Sequence, residues 1–178
     1  MKKTFRRRFF VGLAVLAVCA MFLAAQTPPK KFRVGAYDSR AVAVSYARSA
    51  MFAPYMQEFK AKYEKAKAEK DEKTIKECEA EGPAMQEILH QQGFSIASVA
   101  DILEKVKADL AKVAQQAGVD MIVSKWEVVQ QGPAVEIVDV TADLVKLFKP
   151  DGTTLKILDE MSKQPPIPLL TLMMMPEK

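Results

Sequence analysis

The side chains most often used for nucleophilic and metal chemistry are scarce in this sequence of 178 residues. It contains one histidine, His90, and two cysteines, Cys19 and Cys78. With a single histidine, His-based metal clusters and histidine-dependent triads are not expected. Nearby glutamates flank Cys78, and their negative charge disfavours a thiolate nucleophile. We therefore expect an unreactive, partly covered thiol at Cys78 and a surface position for His90.

Other motifs that carry chemistry are missing as well. The sequence has no Gly-rich phosphate-binding loop, no CxxC or HExxH spacing and no Ser-His-Asp set. The sequence therefore predicts a protein that is not an enzyme, with no catalytic residues, no cofactor and no metal site.

The excess positive charge of the chain lies at its N-terminus. Lys and Arg number 26 against 22 Asp and Glu, and five of the basic residues fall within the first eight positions. Without those five the two signs nearly balance, so we expect no nucleic-acid partner. Hydrophobic residues make up 49% of the chain, which is ordinary for globular proteins and argues against wholesale disorder.

The N-terminal segment has the layout of a secretory signal peptide. A cationic stretch at 1–8 precedes the uncharged run 9–25, which ends in small residues. We therefore expect residues 1–25 to be a signal peptide, residues 26–31 to be a linker, and the remainder to lie in the periplasm. The 17-residue apolar run is near the lower limit for a membrane span, so an uncleaved anchor is one alternative. A lipoprotein acylated at Cys19 is another.

Alternating and β-branched residues predict a small β-sheet. In residues 32–37 apolar side chains recur at every second position, which predicts a strand. Residues 121–123, 127–129 and 135–138 are predicted as three further strands, with a Gln-Gly-Pro turn before the last one.

Helices are predicted next to these strands. Asp38 offers an N-cap to a helix after the first strand, and Thr141 offers one after the last strand. A final short amphipathic helix is centred on Leu158. Residues 164–178 contain four prolines and are expected to be extended or irregular.

Two stretches with heptad-like spacing predict a helical hairpin between the first strand and the others. Apolar residues in 54–81 and 84–117 recur at steps of three and four, and a Gly-Pro pair at 82–83 separates the two stretches. About 28 residues at 1.5 Å each would make an arm roughly 40 Å long. Gly118 is the expected C-cap of the returning limb. Because Gly93 interrupts that limb, a shorter bent arm and three packed helices without an arm are alternatives.

The order strand, long helical hairpin, small sheet and closing helix resembles the Skp (OmpH-like) family of periplasmic chaperones. An aspartate-led strand at 118–123 is followed by a strand that ends in a D-x-T-x-D helix start. Those three places are held by Asp139, Thr141 and Asp143. Residues 34–38 occupy the position of the family's first strand, and the resemblance covers residues 32–149.

The resemblance implies an α+β protein that forms a homotrimer. Residues 32–38 and 118–149 would form a small sheet body that oligomerises. Residues 39–117 would form a long, coiled-coil-like helical hairpin, inserted between the first strand and the remaining ones. These arms would enclose unfolded outer-membrane proteins without using ATP. The protein would contact the membrane only through its leader, if the leader is not cleaved. Residues 150–178, a helix and a Pro/Met-rich tail, have no counterpart in the family pattern.

A holdase chaperone needs accessible, adaptable apolar surface, which Met and aromatic residues supply. The candidate client-binding residues are Met56, Phe59, Tyr63, Met85, Ile88, Leu89 and Phe94. Their spacing is also that of a seam that closes the hairpin, so packing between the limbs is the alternative. The candidate oligomerisation residues are Val34, Ala36, Ile122, Val123, Val135 and Ile137.

A second functional hypothesis is a structural envelope protein. In that case the helical arm and the apolar tail would bind a fixed partner or the membrane surface. The run Leu-Leu-Thr-Leu-Met-Met-Met at 169–175 is too apolar to be simply solvated, which favours a binding role for the tail.

Overall fold

The β-sheet has three parallel strands, and its central strand comes first in the chain. The structure is a computed structural model and describes residues 31–174. The strands are β1 (Phe32–Tyr37), β2 (Met121–Ser124) and β3 (Val135–Asp139), in the order β2-β1-β3. Val34 pairs with Met121 on one side and with Ile137 on the other. Three of the four predicted strands are therefore confirmed.

The fourth predicted strand, at 127–129, does not form. Lys125–Glu127 is a 3-10 turn instead, because the Ser124 hydroxyl accepts a hydrogen bond from the Trp126 backbone N–H at 3.4 Å. The next residues join no strand ladder within the described part of the chain, and Val129 is 97% exposed. Strand propensity depends on neighbours to pair and pack with, and this stretch has none there.

Three helices follow β1, and the second and third form a hairpin. They are α1 (Ser39–Ala47), α2 (Ala53–Glu69) and α3 (Glu72–Gly93). Only Lys70 and Asp71 join α2 to α3. Lys70 adopts the left-handed conformation at φ 54°, and the Asp71 carboxylate accepts a hydrogen bond from the Thr74 backbone N–H at 3.1 Å. This pair of residues reverses the chain and starts α3.

The predicted limbs, 54–81 and 84–117, are wrong in both their turn and their extent. The Gly-Pro pair at 82–83 lies inside α3 rather than between the two helices. A Cβ added to Gly82 would lie 3.4 Å from the Phe59 ring, which is ordinary van der Waals contact, so this part of α3 packs against α2. The proline removes one helix hydrogen bond. Packing of α3 against both α1 and α2 compensates for that loss.

The later part of the predicted returning limb, from residue 100 onward, belongs instead to the hydrophobic core. It forms α4 (Ala100–Glu104) and α5 (Lys107–Ala117). Val99, Val106 and Val113 are buried together with side chains of β1 and α1. Gly118 ends α5 in the left-handed conformation at φ 62°, as predicted. The heptad pattern thus marks the buried face correctly, but that face packs on the core and not on α2.

Three more helices complete the described chain. They are α6 (Thr141–Lys146), α7 (Gly152–Ser162) and α8 (Leu169–Met173). Thr141 does not cap α6 as predicted, because its hydroxyl accepts a hydrogen bond from the Asp38 backbone N–H at 2.9 Å. Asp139 accepts from the Thr141 backbone N–H at 2.8 Å instead. Helix α8 lies within the tail predicted to be extended or irregular, so that prediction is wrong for its five residues.

The chain is thus an α+β protein with a small parallel sheet, and five helices lie between its first and second strands. Across residues 31–174, none of the helices combines the length and the hydropathy that a bilayer span requires. The predictions of a signal peptide, an anchor or acylation at Cys19 concern residues outside the described range.

Candidate functional site

Helices α2 and α3 form an apolar groove where the hairpin joins the core. The groove has a volume of about 290 Å³. Its lining residues are Phe52, Tyr55, Met56, Phe59, Gly82, Met85, Gln86 and Leu89. None of these side chains carries a formal charge. Tyr55 and Leu89 also pack against the main core, so the groove begins at a fixed wall.

The hairpin seam is the line along which α2 and α3 pack against each other. Its side chains explain why the groove is open only at the end near the core. Near the turn the seam is filled by Ala66 and Cys78, which are 3% and 2% exposed, and small residues let the helices close. Near the core the seam carries large side chains, and the rings of Phe52, Tyr55 and Phe59 stack in sequence with centroids 5.6 and 6.5 Å apart. This aromatic ladder forms one wall of the groove.

Polar contacts across the hairpin hold the two helices in register. The Tyr55 hydroxyl donates to Glu81 Oε1 at 3.0 Å, and the Tyr63 hydroxyl donates to Glu79 Oε1 at 3.3 Å. Desolvation, together with the Glu81 carboxylate, raises the pKa of Tyr55, so its hydroxyl remains a donor at neutral pH. The groove is therefore bounded by a hydrogen-bonded rim and an apolar floor.

Four of the seven candidate client-binding residues meet in this groove. They are Met56, Phe59, Met85 and Leu89. Tyr63 lies nearer the turn, where the Lys67 ammonium sits 4.2 Å from its ring centroid. Ile88 is 46% exposed and lies outside the groove, and Phe94 lines a separate recess beside the C-terminal tail.

Three features of the groove were not predicted from the sequence: Phe52, Tyr55 and the helical position of Gly82. The signal for the two aromatic residues was present, because Phe52 precedes Met56 by four positions and Tyr55 precedes Phe59 by four. Gly82 was predicted to lie at a helix break, so it was not identified as a residue that lines the groove.

A second apolar surface covers the outer face of the sheet. It is lined by Phe32, Val34, Met121, Val123, Val128, Val129, Val135 and Ile137, with the polar residues 127 and 130–132 at its edge. Phe32, Met121 and Ile137 are 47%, 44% and 37% exposed, which is unusual for large apolar side chains of a central sheet. The segment 127–132 lies against this surface, and Val34 and Ala36 on the central strand are buried, so the exposed apolar area is at Phe32, Met121 and Ile137.

Five of the six candidate oligomerisation residues border this outer face. They are Val34, Ala36, Val123, Val135 and Ile137. Ile122 is the exception, because successive strand residues point to opposite faces and Ile122 packs into the core. Phe32 and Met121 belong to the surface and were missed.

A buried charge cluster lies where the parallel strands end, and of its members only Asp38 was predicted to have a role, as a helix cap. The Asp38 carboxylate is 2% exposed and accepts hydrogen bonds from Arg40 Nη2 at 2.8 Å, Lys125 Nζ at 3.0 Å and Trp126 Nε1 at 3.1 Å. The two cations also lie over the Trp126 ring, 4.9 and 4.5 Å from its centroid.

The electrostatics of the cluster fix Asp38 as an anion. Burial alone would raise the pKa of Asp38, but hydrogen bonds and attraction from Arg40 and Lys125 outweigh it and lower the pKa from 3.8 to about 2. Arg40 Nη2 also donates to the carbonyl oxygens of Met161 and Gln164 at 3.3 and 3.0 Å. Since both carboxylate oxygens are occupied by donors, the cluster serves as a structural tie between β1, the 3-10 turn and the C-terminal segment.

The remaining reactive side chains form no site. His90 is exposed near the end of α3, as expected, and Cys78 is buried in the hairpin seam. Among residues 31–174, no three His, Cys, Asp or Glu side chains come together in a way that could hold a metal ion.

Comparisons with protein-family models, with curated proteins and with solved structures give no match for this chain.

Proposed function

We propose that the protein is a periplasmic, ATP-independent holdase of the Skp-like type that binds unfolded outer-membrane proteins. The observation that carries the proposal is the open, uncharged groove between α2 and α3, lined by Met56, Met85 and stacked aromatic rings. A holdase must accept many sequences, and a groove without charged lining residues imposes few requirements on what enters it.

The chemistry of the groove suits weak and sequence-tolerant binding. Methionine side chains are flexible and polarizable, so Met56 and Met85 can repack around different apolar groups. Each buried Leu, Val or Phe side chain of a client gains about 1.5–3 kcal/mol from burial. Several grooves acting together would then hold an unfolded chain without a nucleotide, because each contact is reversible and contributes little alone.

Homo-oligomerisation, as a trimer, is the second part of the proposal. The outer face of the sheet presents large exposed apolar side chains, including Phe32, Met121 and Ile137. The neighbouring stretch contains the β-branched residues Val128 and Val129 and joins no ladder in the described chain. A second and third copy of the sheet would bury both features and group the hairpins around one space. The mass of the purified protein by light scattering tests this, with three times the chain mass expected.

The holdase proposal is tested by aggregation of a urea-unfolded outer-membrane β-barrel protein on dilution. The native protein is expected to suppress light scattering at a several-fold excess. Met56→Asp combined with Met85→Asp places two charges in the groove and is expected to abolish suppression. Ile157→Asp is the matched control, because Ile157 is 40% exposed on α7, away from the groove. Equal suppression by both variants, or none by the native protein, would contradict the proposal.

A structural envelope protein is the second candidate function, and exposure of the tail favours it. Leu169, Leu170, Met173 and Met174 are between 57% and 76% exposed. Such a protein would bind one envelope component or the membrane surface saturably and would not protect unfolded chains in general. Binding to a fixed component without suppression of aggregation would select this alternative.

The periplasmic location belongs to the proposal and depends on residues 1–25. N-terminal sequencing of the exported protein is expected to begin at Gln26 if the leader is cleaved. Detection of a lipid at Cys19, or of an intact N-terminus in the inner membrane, would select one of the two alternatives.

A further inference from the structure

The C-terminal tail has the composition of a segment that a holdase would bind. Residues 164–174 contain no charged side chain and include three prolines. Helix α8 places Leu169, Leu170, Met173 and Met174 along one side, since positions i, i+1, i+4 and i+5 of a helix are neighbours. All four are exposed by more than half. The tail therefore displays an apolar stripe that nothing in the described chain covers.

The first part of the tail is fixed close to α3. Arg40, only 5% exposed, donates from Nη2 to the Gln164 carbonyl oxygen at 3.0 Å and so holds the point where the tail leaves α7. Pro165 and Ile167 then line a recess of about 300 Å³ together with Gly93 and Phe94 at the C-terminal end of α3. The tail thus begins beside the same helix that lines the hairpin groove.

The distances allow α8 to reach that groove within one chain. Leu89, which lines the groove, precedes Gly93 by four residues, or about 6 Å along a helix. Leu170 follows Ile167 by three residues, which span up to about 10 Å when extended. The extended span of about 10 Å exceeds the rise of about 6 Å between Gly93 and Leu89, so rotation of the backbone near Pro168 would let the stripe of α8 approach the near end of the groove.

We propose that residues 168–174 dock in the hairpin groove of their own chain and compete there with client segments. The inference rests on the proposed holdase function for its consequence, since the tail then acts as a tethered pseudo-client. The residues that line the groove are uncharged, and the stripe consists of uncharged Leu and Met side chains. The two surfaces are therefore chemically compatible. A short tether gives an effective concentration in the millimolar range, so a tail affinity of about 0.1–1 mM would weaken client binding about 2- to 10-fold.

The docking itself is tested without a client, by disulfide formation in the purified full chain. Met85→Cys combined with Met173→Cys is expected to form an intramolecular disulfide rapidly under mild oxidation. Met85→Cys combined with Thr171→Cys is the matched control, because Thr171 lies about 160° around α8 from Met173. Cys78 is buried and present in both variants. Equal rates for the two variants, or a disulfide that joins two chains instead, would overturn the proposal.

The competition is tested by the affinity for a dye-labelled, urea-unfolded outer-membrane β-barrel protein. Leu170→Asp combined with Met173→Asp is expected to tighten binding about 2- to 10-fold, because the charged stripe no longer occupies the groove. Thr171→Asp, on the opposite side of α8, is expected to leave affinity unchanged. An unchanged or weaker affinity of the stripe variant overturns the competition. If no variant binds the client, the holdase function fails, while the disulfide rates still decide whether the tail docks.

Discussion

Replacement of Asp38 by asparagine tests the buried charge cluster that ties β1 to the rest of the body. Asparagine keeps the size and one carbonyl oxygen of the side chain but removes the negative charge. Arg40, 5% exposed, would then be left buried without its counter-ion. We expect Asp38→Asn to lower the free energy of unfolding substantially at pH 7.

The size of that loss follows from the pKa and from the burial. The carboxyl pKa falls from 3.8 to about 2 on folding. At about 1.4 kcal/mol per pKa unit, this corresponds to roughly 2 kcal/mol of stabilisation. Removing one partner of a buried ion pair costs about 3–5 kcal/mol in other proteins. We therefore expect a loss of about 2–4 kcal/mol.

The same cluster predicts a specific pH dependence. Because the folded pKa of Asp38 lies below the unfolded value, its stabilisation is complete above about pH 4 and is lost as the pH falls toward 2. The difference between the native protein and Asp38→Asn should therefore shrink by about 1 kcal/mol between pH 7 and pH 3, an amount that follows from the two pKa values through proton linkage.

Urea unfolding followed by circular dichroism at pH 7, 5, 4 and 3 measures both quantities. Asp139→Asn is the matched control, because exposed Asp139 only accepts the Thr141 backbone N–H and asparagine serves equally well there. The control should change stability by less than about 0.5 kcal/mol. A similarly small loss for Asp38→Asn, or a loss independent of pH, would refute the account of the cluster.

Further predictions concern packing, backbone strain, oligomerisation and thiol access. Gly35→Ala should destabilise by about 1–3 kcal/mol in urea unfolding, because its Cβ would lie 3.1–3.2 Å from two valine side chains. Gly118→Ala should cost about 1–2 kcal/mol in the same assay, because φ is 62° there. Ile137→Asp, on the exposed sheet face, should lower the mass in light scattering to that of one chain, while Ile157→Asp should not. Buried Cys78 should react with a thiol reagent only when urea unfolds the hairpin, and rapid labelling of the native protein would contradict its placement.

The sheet was predictable because its signals are local. Period-two alternation in β1 and the turn before β3 need no knowledge of distant residues. Their parallel order around β1 was not predictable in the same way, since pairing depends on the whole chain. The strand predicted at 127–129 failed for that reason, because β-branched residues form a strand only beside a partner.

For the helices, the spacing of apolar residues predicted which face is buried but not which neighbouring element covers that face. The spacing of Val99, Val106 and Val113 identified a buried helix face, but the same spacing suits packing on α2 or on the core. The turn was misplaced because a Gly-Pro pair usually ends a helix, whereas Gly82 and Pro83 here lie inside α3. The true turn at Lys70 has no glycine, and only Asp71 before Thr74 signalled the start of α3.

The candidate site was predictable in part. Met56, Phe59, Met85 and Leu89 were identified because large apolar side chains in a charged helical stretch are conspicuous. The charge cluster was not, because Asp38 and Lys125 are 87 residues apart in the sequence and meet only when β1 and β2 pair. Long-range electrostatic contacts of this kind carry no local sequence pattern.

Site-specific photo-cross-linking tests the central claim that the hairpin groove holds unfolded chains. A photoreactive residue placed at Met85 should capture a urea-unfolded outer-membrane β-barrel protein on dilution, whereas the same residue at Ile157 should capture little. The folded form of that protein should be captured at neither position. Equal capture at Met85 and Ile157, or capture of the folded client, would contradict the account.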